Sequence, residues 1–221
     1  MLDASECPPT FNVPADLVQG IIAGGEAALS RATEASEDDP ESGVRDVQAR
    51  GLNGGDVLIG IAASGRTPYV LGAVRYARGV GAVTAGISCT PGSLLSSAVD
   101  IPIEPLPGPE VIAGSTRLRA GTATKLVLNM ISTAAMVRLG HVYRNLMVNV
   151  QAKNEKLVDR ARRIISAAAE VDYSRASELL EESGRSVKTA IVMARLGVCR
   201  EVAEGRLTQA NGRITVVLGE R

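Results

Sequence analysis

The stretch Asp56-Val57-Leu58-Ile59-Gly60-Ile61-Ala62-Ala63-Ser64-Gly65-Arg66-Thr67-Pro68 decides the fold. It is apolar almost without interruption, then stops at a turn of hydroxyls and glycine. A strand covered on both faces has this composition, and such strands belong to parallel sheets. A helical stripe follows over 68–80, through Val70, Leu71, Val74 and Ala77. A second strand is expected from Ala82 to Ser88, ahead of the turn Thr90-Pro91-Gly92. A short helix over 93–98 and a last strand from Val99 to Ile103 complete the pattern. Strand, helix, strand, helix, strand predicts βαβ units and an α/β domain.

Upstream, residues 1–13 are polar and carry Pro8-Pro9, which reads as a loop. Residues 14–32 have a helical stripe in Leu17, Ile21, Ala28 and Leu29, weakened by Gly24-Gly25. Residues 33–43 are acidic and turn-rich, and a short helix is expected around 43–51. Downstream, helices are expected over 115–139 and 149–168. Three short helices over 173–183, 186–195 and 199–210 share a stripe that includes Leu179, Leu180, Val187 and Ile191. A strand-like run, Ile214 to Leu218, closes the chain. The organisation is thus an α/β domain over 1–168 and a three-helix cap over 169–221.

Composition narrows the function. The 221 residues carry 24 basic and 24 acidic side chains, so no basic footprint for nucleic acid or an anionic membrane is present. Aromatic residues are 2%, too few for a base-stacking surface. Cys7, Cys89 and Cys199 are far apart and lack metal-ligand spacing, so they read as reduced thiols of a cytoplasmic protein. Met1 to Glu6 has neither the basic nor the apolar region of a signal peptide.

Three stretches could carry chemistry. Ser64-Gly65-Arg66-Thr67 joins a strand end to a helix start. Exposed N–H groups and the positive end of the helix dipole make that a place for an anion. Equally, Ser64 and Thr67 suit plain helix capping. Asp3-Ala4-Ser5-Glu6-Cys7-Pro8-Pro9 sets a carboxylate before a stiff double proline, as a catalytic acid requires, although an exposed glutamate is the simpler account. Glu37 stands in an acidic run that by itself is a solvated loop. Gly114 to Lys125 alternates hydroxyls and bases ahead of an apolar helix. Ser115 can cap that helix, and Thr116, Thr122 and Lys125 could reach a phosphate or a sugar hydroxyl, or the segment is a capped helix with small residues at a tight helix–helix or subunit contact. His141, the one histidine, reads as a plain surface or packing residue.

Taken in order, LDASECPPTF, GIAASGRTPYV, GISCTPGS, GSTRLRAGTATKLVLNMISTAAM, NLMVNVQAKNEKL and KTAIVM resemble the N-acetylmuramic acid 6-phosphate etherases of the sugar isomerase (SIS) fold. The resemblance runs from residue 1 to the C-terminus, and glucokinase regulatory protein is a more distant likeness. It implies a three-layer sandwich around a central parallel sheet with a small C-terminal helical unit. It implies cleavage of the D-lactyl ether of the sugar phosphate, giving N-acetylglucosamine 6-phosphate and D-lactate, with no metal or organic cofactor. On the family pattern Glu6 matches the general acid and Glu37 the base. Ser64, Gly65, Arg66 and Thr67 match a phosphate-contacting turn, and Thr116 and Lys125 match further binding positions.

The resemblance also implies a first strand and a glycine-rich loop of the G-T-S-G-R type upstream of LDASE, absent from this sequence. The expectation is a chain that is weakly active or inactive and prone to aggregate. A homodimer in the cytoplasm, with a small sugar phosphate as partner, completes the expectation. The alternatives are a non-catalytic sugar-phosphate-binding regulatory protein and an inactive fragment.

Overall fold

A computed structural model describes residues 1–31 and 34–220. Ala32 and Thr33, the end of the expected first helix and the start of the acidic loop, lie outside the described residues, as does Arg221. In chain order the elements are α1 (Leu2–Phe11), α2 (Pro40–Ala49), β1 (Val57–Ile61), α3 (Pro68–Gly79), β2 (Val83–Ile87), α4 (Leu94–Ala98), β3 (Ile101–Ile103), α5 (Arg119–Arg138), α6 (Glu155–Ala169), α7 (Tyr173–Glu182), α8 (Val187–Leu196), α9 (Arg200–Gln209) and α10 (Ile214–Leu218). Two compact units result: a strand unit of Met1 with Gly20–Met130, and a helical unit of Leu2–Gln19 with the chain from Ile131 on.

The strand unit is built on the sheet read from the sequence, and its α/β, SIS-type architecture is as expected. The order is β1-β2-β3, with both pairings parallel. Gly60 lies opposite Gly86 in register. A Cβ on Gly60 would come within 2.9 Å of Val70 and Val74, and one on Gly86 within 2.9 Å of Leu95. The missing side chains therefore let α3 and α4 settle close on this face, where Ala62, Val74, Leu95 and Val99 form the core. Buried Thr84 pins β2 to the approach of β3: its N–H and hydroxyl both donate to Asp100 Oδ2, at 2.9 and 2.8 Å.

Helices α2 and α3 cross backbone to backbone. A Cβ on Gly43 would lie 2.1 Å from the Tyr69 carbonyl oxygen, and one on Gly72 2.1 Å from that of Pro40. Buried Tyr69 then donates its hydroxyl to Asp46 Oδ2 at 2.6 Å, and burial pushes the phenol pKa up. This crossing fixes where the chain just before α2 meets the start of α3. The helical unit has a larger core, running from Tyr143 and Val148 through Ile165, Leu180, Ile191 and Val192 to Ile214.

Four local expectations are corrected. Residues 2–11 form a helix, not a loop: Pro8 and Pro9 lie inside it, where proline's fixed φ suits the helix although each lacks the N–H that would close a helical turn. The helix expected over 14–32 is replaced, in its described part, by turns and a 3-10 segment, Gly25–Leu29. Gly24 and Gly25 take φ of 82° and 67° there, which interrupts any helix. Ser115 does not cap α5, which begins at Arg119: Glu110 accepts the N–H groups of Arg119 and Ala120, each at 2.9 Å. The terminal run Ile214–Leu218 is a helix, its Ile214 buried in the helical core. A lone β-branched run with no neighbouring strand has no ladder to join, so local burial decides.

Candidate functional site

In open parallel sheets, ligands are held beyond the carboxyl ends of the strands. Here that edge carries two turns of the same kind. After β1 comes Ser64-Gly65-Arg66-Thr67, and after β2 comes Ser88-Cys89-Thr90-Pro91-Gly92-Ser93. Backbone bonds tie them together: Cys89 N–H donates to Ala63 O, and Leu95 N–H to Gly65 O, both at 2.9 Å. Gly65 holds φ 64°, and a Cβ there would lie 2.2 Å from Ser93 Oγ. Glycine is thus required twice at this position, for its dihedral and for the close approach of the second turn.

Thr67 occupies the N-cap position of α3, yet its side chain makes no capping bond. Instead its hydroxyl donates to Glu37 Oε2 at 3.4 Å. Ser64 is exposed, and its Oγ accepts the Arg66 N–H at 3.3 Å. Arg66 and Glu37 are exposed as well. The fold therefore gathers Glu37, Ser64, Gly65, Arg66 and Thr67 at one edge of the strand unit. The reach of Glu37 is explained locally. The 3-10 turn Glu34–Glu37 leads straight into α2, whose Asp39 cap accepts the Glu41 N–H, and α2 is held against α3 by the glycine crossing.

Thr116 lies just before α5 and Lys125 within it, both exposed. Among the described residues no hydrogen bond joins them to Glu37 or to the Ser64–Thr67 turn. Glu6 is in the helical unit, exposed on α1, while the next residue, Cys7, is buried with Val13 and Met136. That helix is fastened at several points. Ser132 Oγ donates to Asp3 Oδ1 at 3.3 Å, and Asn149 Nδ2 donates to Phe11 O at 2.9 Å. Asn149 Nδ2 also lies 2.6 Å from His141 Nδ1. Burial pushes the His141 pKa down, the nearby Lys188 charge adds to this, and the Phe11 carbonyl opposes it. The His141 ring serves as a fastening here, which is the packing side of its reading as a surface or packing residue.

Sequence reasoning missed Ser88, Thr90, Ser93 and Glu104. Thr90 Oγ1 donates to Ala63 O at 3.3 Å, and Glu104 Oε1 accepts the Gly92 N–H at 2.8 Å. The Ser96 hydroxyl, then the Gly92 N–H, hold the Glu104 carboxyl below its usual range. The signal was present: the second turn repeats the grammar of the first, an apolar strand stopping at hydroxyls and glycine.

A family model described as the glucokinase regulatory protein N-terminal SIS domain matches residues 2–78. An N-acetylmuramic acid 6-phosphate etherase of Edwardsiella ictaluri is 54% identical over 221 residues, covering 100% of this chain and 74% of the relative. One of Pectobacterium atrosepticum is 55% identical over 218 residues, covering 99% and 72%. One of Geobacillus thermodenitrificans is 55% identical over 218 residues, covering 99% and 74%. With half or more of its residues shared along essentially its whole length, this chain belongs to the N-acetylmuramic acid 6-phosphate etherase family.

Proposed function

We propose that the protein cleaves the D-lactyl ether of N-acetylmuramic acid 6-phosphate as a carbon–oxygen lyase. The observation that carries the reading is the Glu37 carboxylate bonded to Thr67 at the hydroxyl-rich strand-end turn. A carboxylate at this edge is of little use to a phosphate group, but it suits a base acting on the same sugar. The turn Ser64 to Thr67 supplies hydroxyls and the N-terminus of α3 to the phosphate.

The chemistry follows from the substrate. Opening of the sugar ring exposes the C1 aldehyde, which acidifies the C2 proton. Glu37 takes that proton, the electron pair forms the C2=C3 bond, and the C3–O bond breaks. Glu6, acting as the acid, protonates the departing ether oxygen, so D-lactate leaves. Water then adds at C3 of the unsaturated aldehyde, giving N-acetylglucosamine 6-phosphate. The two carboxyl groups must hold opposite protonation states for this sequence. The same reading assigns the protein to the cytoplasm as a homodimer and places Thr116 and Lys125 on the bound sugar phosphate.

Incubation with N-acetylmuramic acid 6-phosphate and an assay of D-lactate tests this. Release above the enzyme-free rate is expected. A second reading, a sugar-phosphate-binding regulatory protein, draws support from the match of residues 2–78 to a regulatory-protein domain. Tight binding of the sugar phosphate with no lactate released would favour it.

A further inference from the structure

The helical unit carries a feature that the reaction does not use. Between the end of α5 and the start of α10 lies a cleft of about 340 Å³. Arg138, Arg144 and Arg213 line it, with Gly140, Val142 and Thr215. Arg144 is 3.6 Å from the Glu220 carboxylate and lies over the Tyr143 ring. That carboxylate is already shared with Arg195, 3.0 Å away, and with the Tyr143 hydroxyl at 2.7 Å. Arg138 and Arg213 have no ion-pair partner among the described residues. Lys188 sits behind the cleft and donates to the carbonyls of Gly140 and Gly212 at 2.9 and 3.0 Å. Positive charge thus exceeds negative charge around one small concavity.

The arrangement is seated by the backbone. Gly140 has φ 82°, and a Cβ on it would lie 2.6 Å from Arg213 Cγ. The Arg213 stem therefore rests on glycine, while Lys188 grips the same residue's carbonyl. Thr215 adds a hydroxyl to the wall. Guanidinium groups bind phosphate through paired N–H donors, and the volume falls in the range of small-molecule sites.

We propose that this cleft is a second anion site, distinct from the sheet edge, that binds the phosphate group of a small phosphorylated metabolite. The test is calorimetric titration of the full chain with inorganic phosphate at constant ionic strength, in a Ser64→Ala/Thr67→Ala background that weakens the strand-end turn. Phosphate binding persists in that background. Adding Arg138→Gln and Arg213→Gln weakens it roughly tenfold or more, as loss of charge-assisted bonds requires. Arg138→Lys with Arg213→Lys, which keep the charge but lose the fork, weakens it less. The site is overturned if phosphate does not bind in the Ser64→Ala/Thr67→Ala background. Affinity unchanged by the glutamine pair overturns it equally.

Discussion

In the helical unit Ile165, Leu180, Ile191 and Val192 are fully enclosed, whereas in the strand unit Val57, Ile61, Val83 and Ile101 stand exposed on one face of the sheet. The helices have apolar stripes, and packing them together encloses the centre of those stripes. The sheet has two apolar faces. The even-numbered one, with Gly60 and Gly86, is closed by α3 and α4. On the odd-numbered one Val57 is 62% exposed, although strands of this composition suit burial on both faces. The difference separates two jobs: the helical core holds itself together, and the strand unit presents an edge of turns and hydroxyls.

Leu180→Ala should give the largest stability loss, about 2–5 kcal/mol, because it opens a cavity in the enclosed core. Urea unfolding followed by circular dichroism reads this directly, and a cost below about 1 kcal/mol would deny that the helical core is the better packed. Gly65→Ala should cost about 1–3 kcal/mol through its left-handed dihedral and the clash with Ser93. The same substitution should weaken phosphate binding at the sheet edge, so stability and binding fall together. At a merely structural turn only the unfolding midpoint would move.

Acid separates the units more finely. In the helical unit the His141 pKa is pushed down, so the folded state resists protonation while the unfolded chain accepts it. Stability is lost as pH falls below about 6.5, the ordinary imidazole value, and the loss is complete below the folded value. His141→Gln should remove that slope. In the strand unit the Thr84 amide and hydroxyl hold the Asp100 pKa down. Its contribution persists to lower pH and disappears only as pH falls below the usual carboxylate value. Equilibrium unfolding at a series of pH values distinguishes the two. Smallest of all, Val57→Ser should change stability by no more than about 0.5 kcal/mol, since that side chain is largely exposed. It should nonetheless lower light scattering of concentrated protein, because an open apolar patch favours association.

The sheet was legible because a short, continuous apolar run that stops at a glycine turn suits a buried strand better than a helix. The helices α7 to α9 were legible from a stripe of helical period bounded by glycines. Helix α1 was not, because Pro8-Pro9 signal a break to the eye although their φ values permit a final helical turn. Residues 14–31 misled in the opposite direction: the apolar spacing was helical, but the paired glycines turned left-handed. At the sheet edge the Ser64 to Thr67 turn could be read from local pattern. The Thr67–Glu37 bond could not, since it spans 30 residues and depends on the tight crossing of α2 and α3. The role of Glu6 came from resemblance alone. Nothing in its local chemistry distinguishes it from other exposed carboxylates.

The proposed division of labour between Glu37 and Glu6 is tested most directly by following N-acetylmuramic acid 6-phosphate in deuterated water by NMR. The native protein should place deuterium at C2 and release D-lactate. Glu37→Gln should slow both by about 10²–10⁴-fold, the usual contribution of a general base. Glu6→Gln should still exchange C2 while releasing little lactate. Exchange at C2 by Glu37→Gln at the native rate would contradict the assignment of Glu37 as the base.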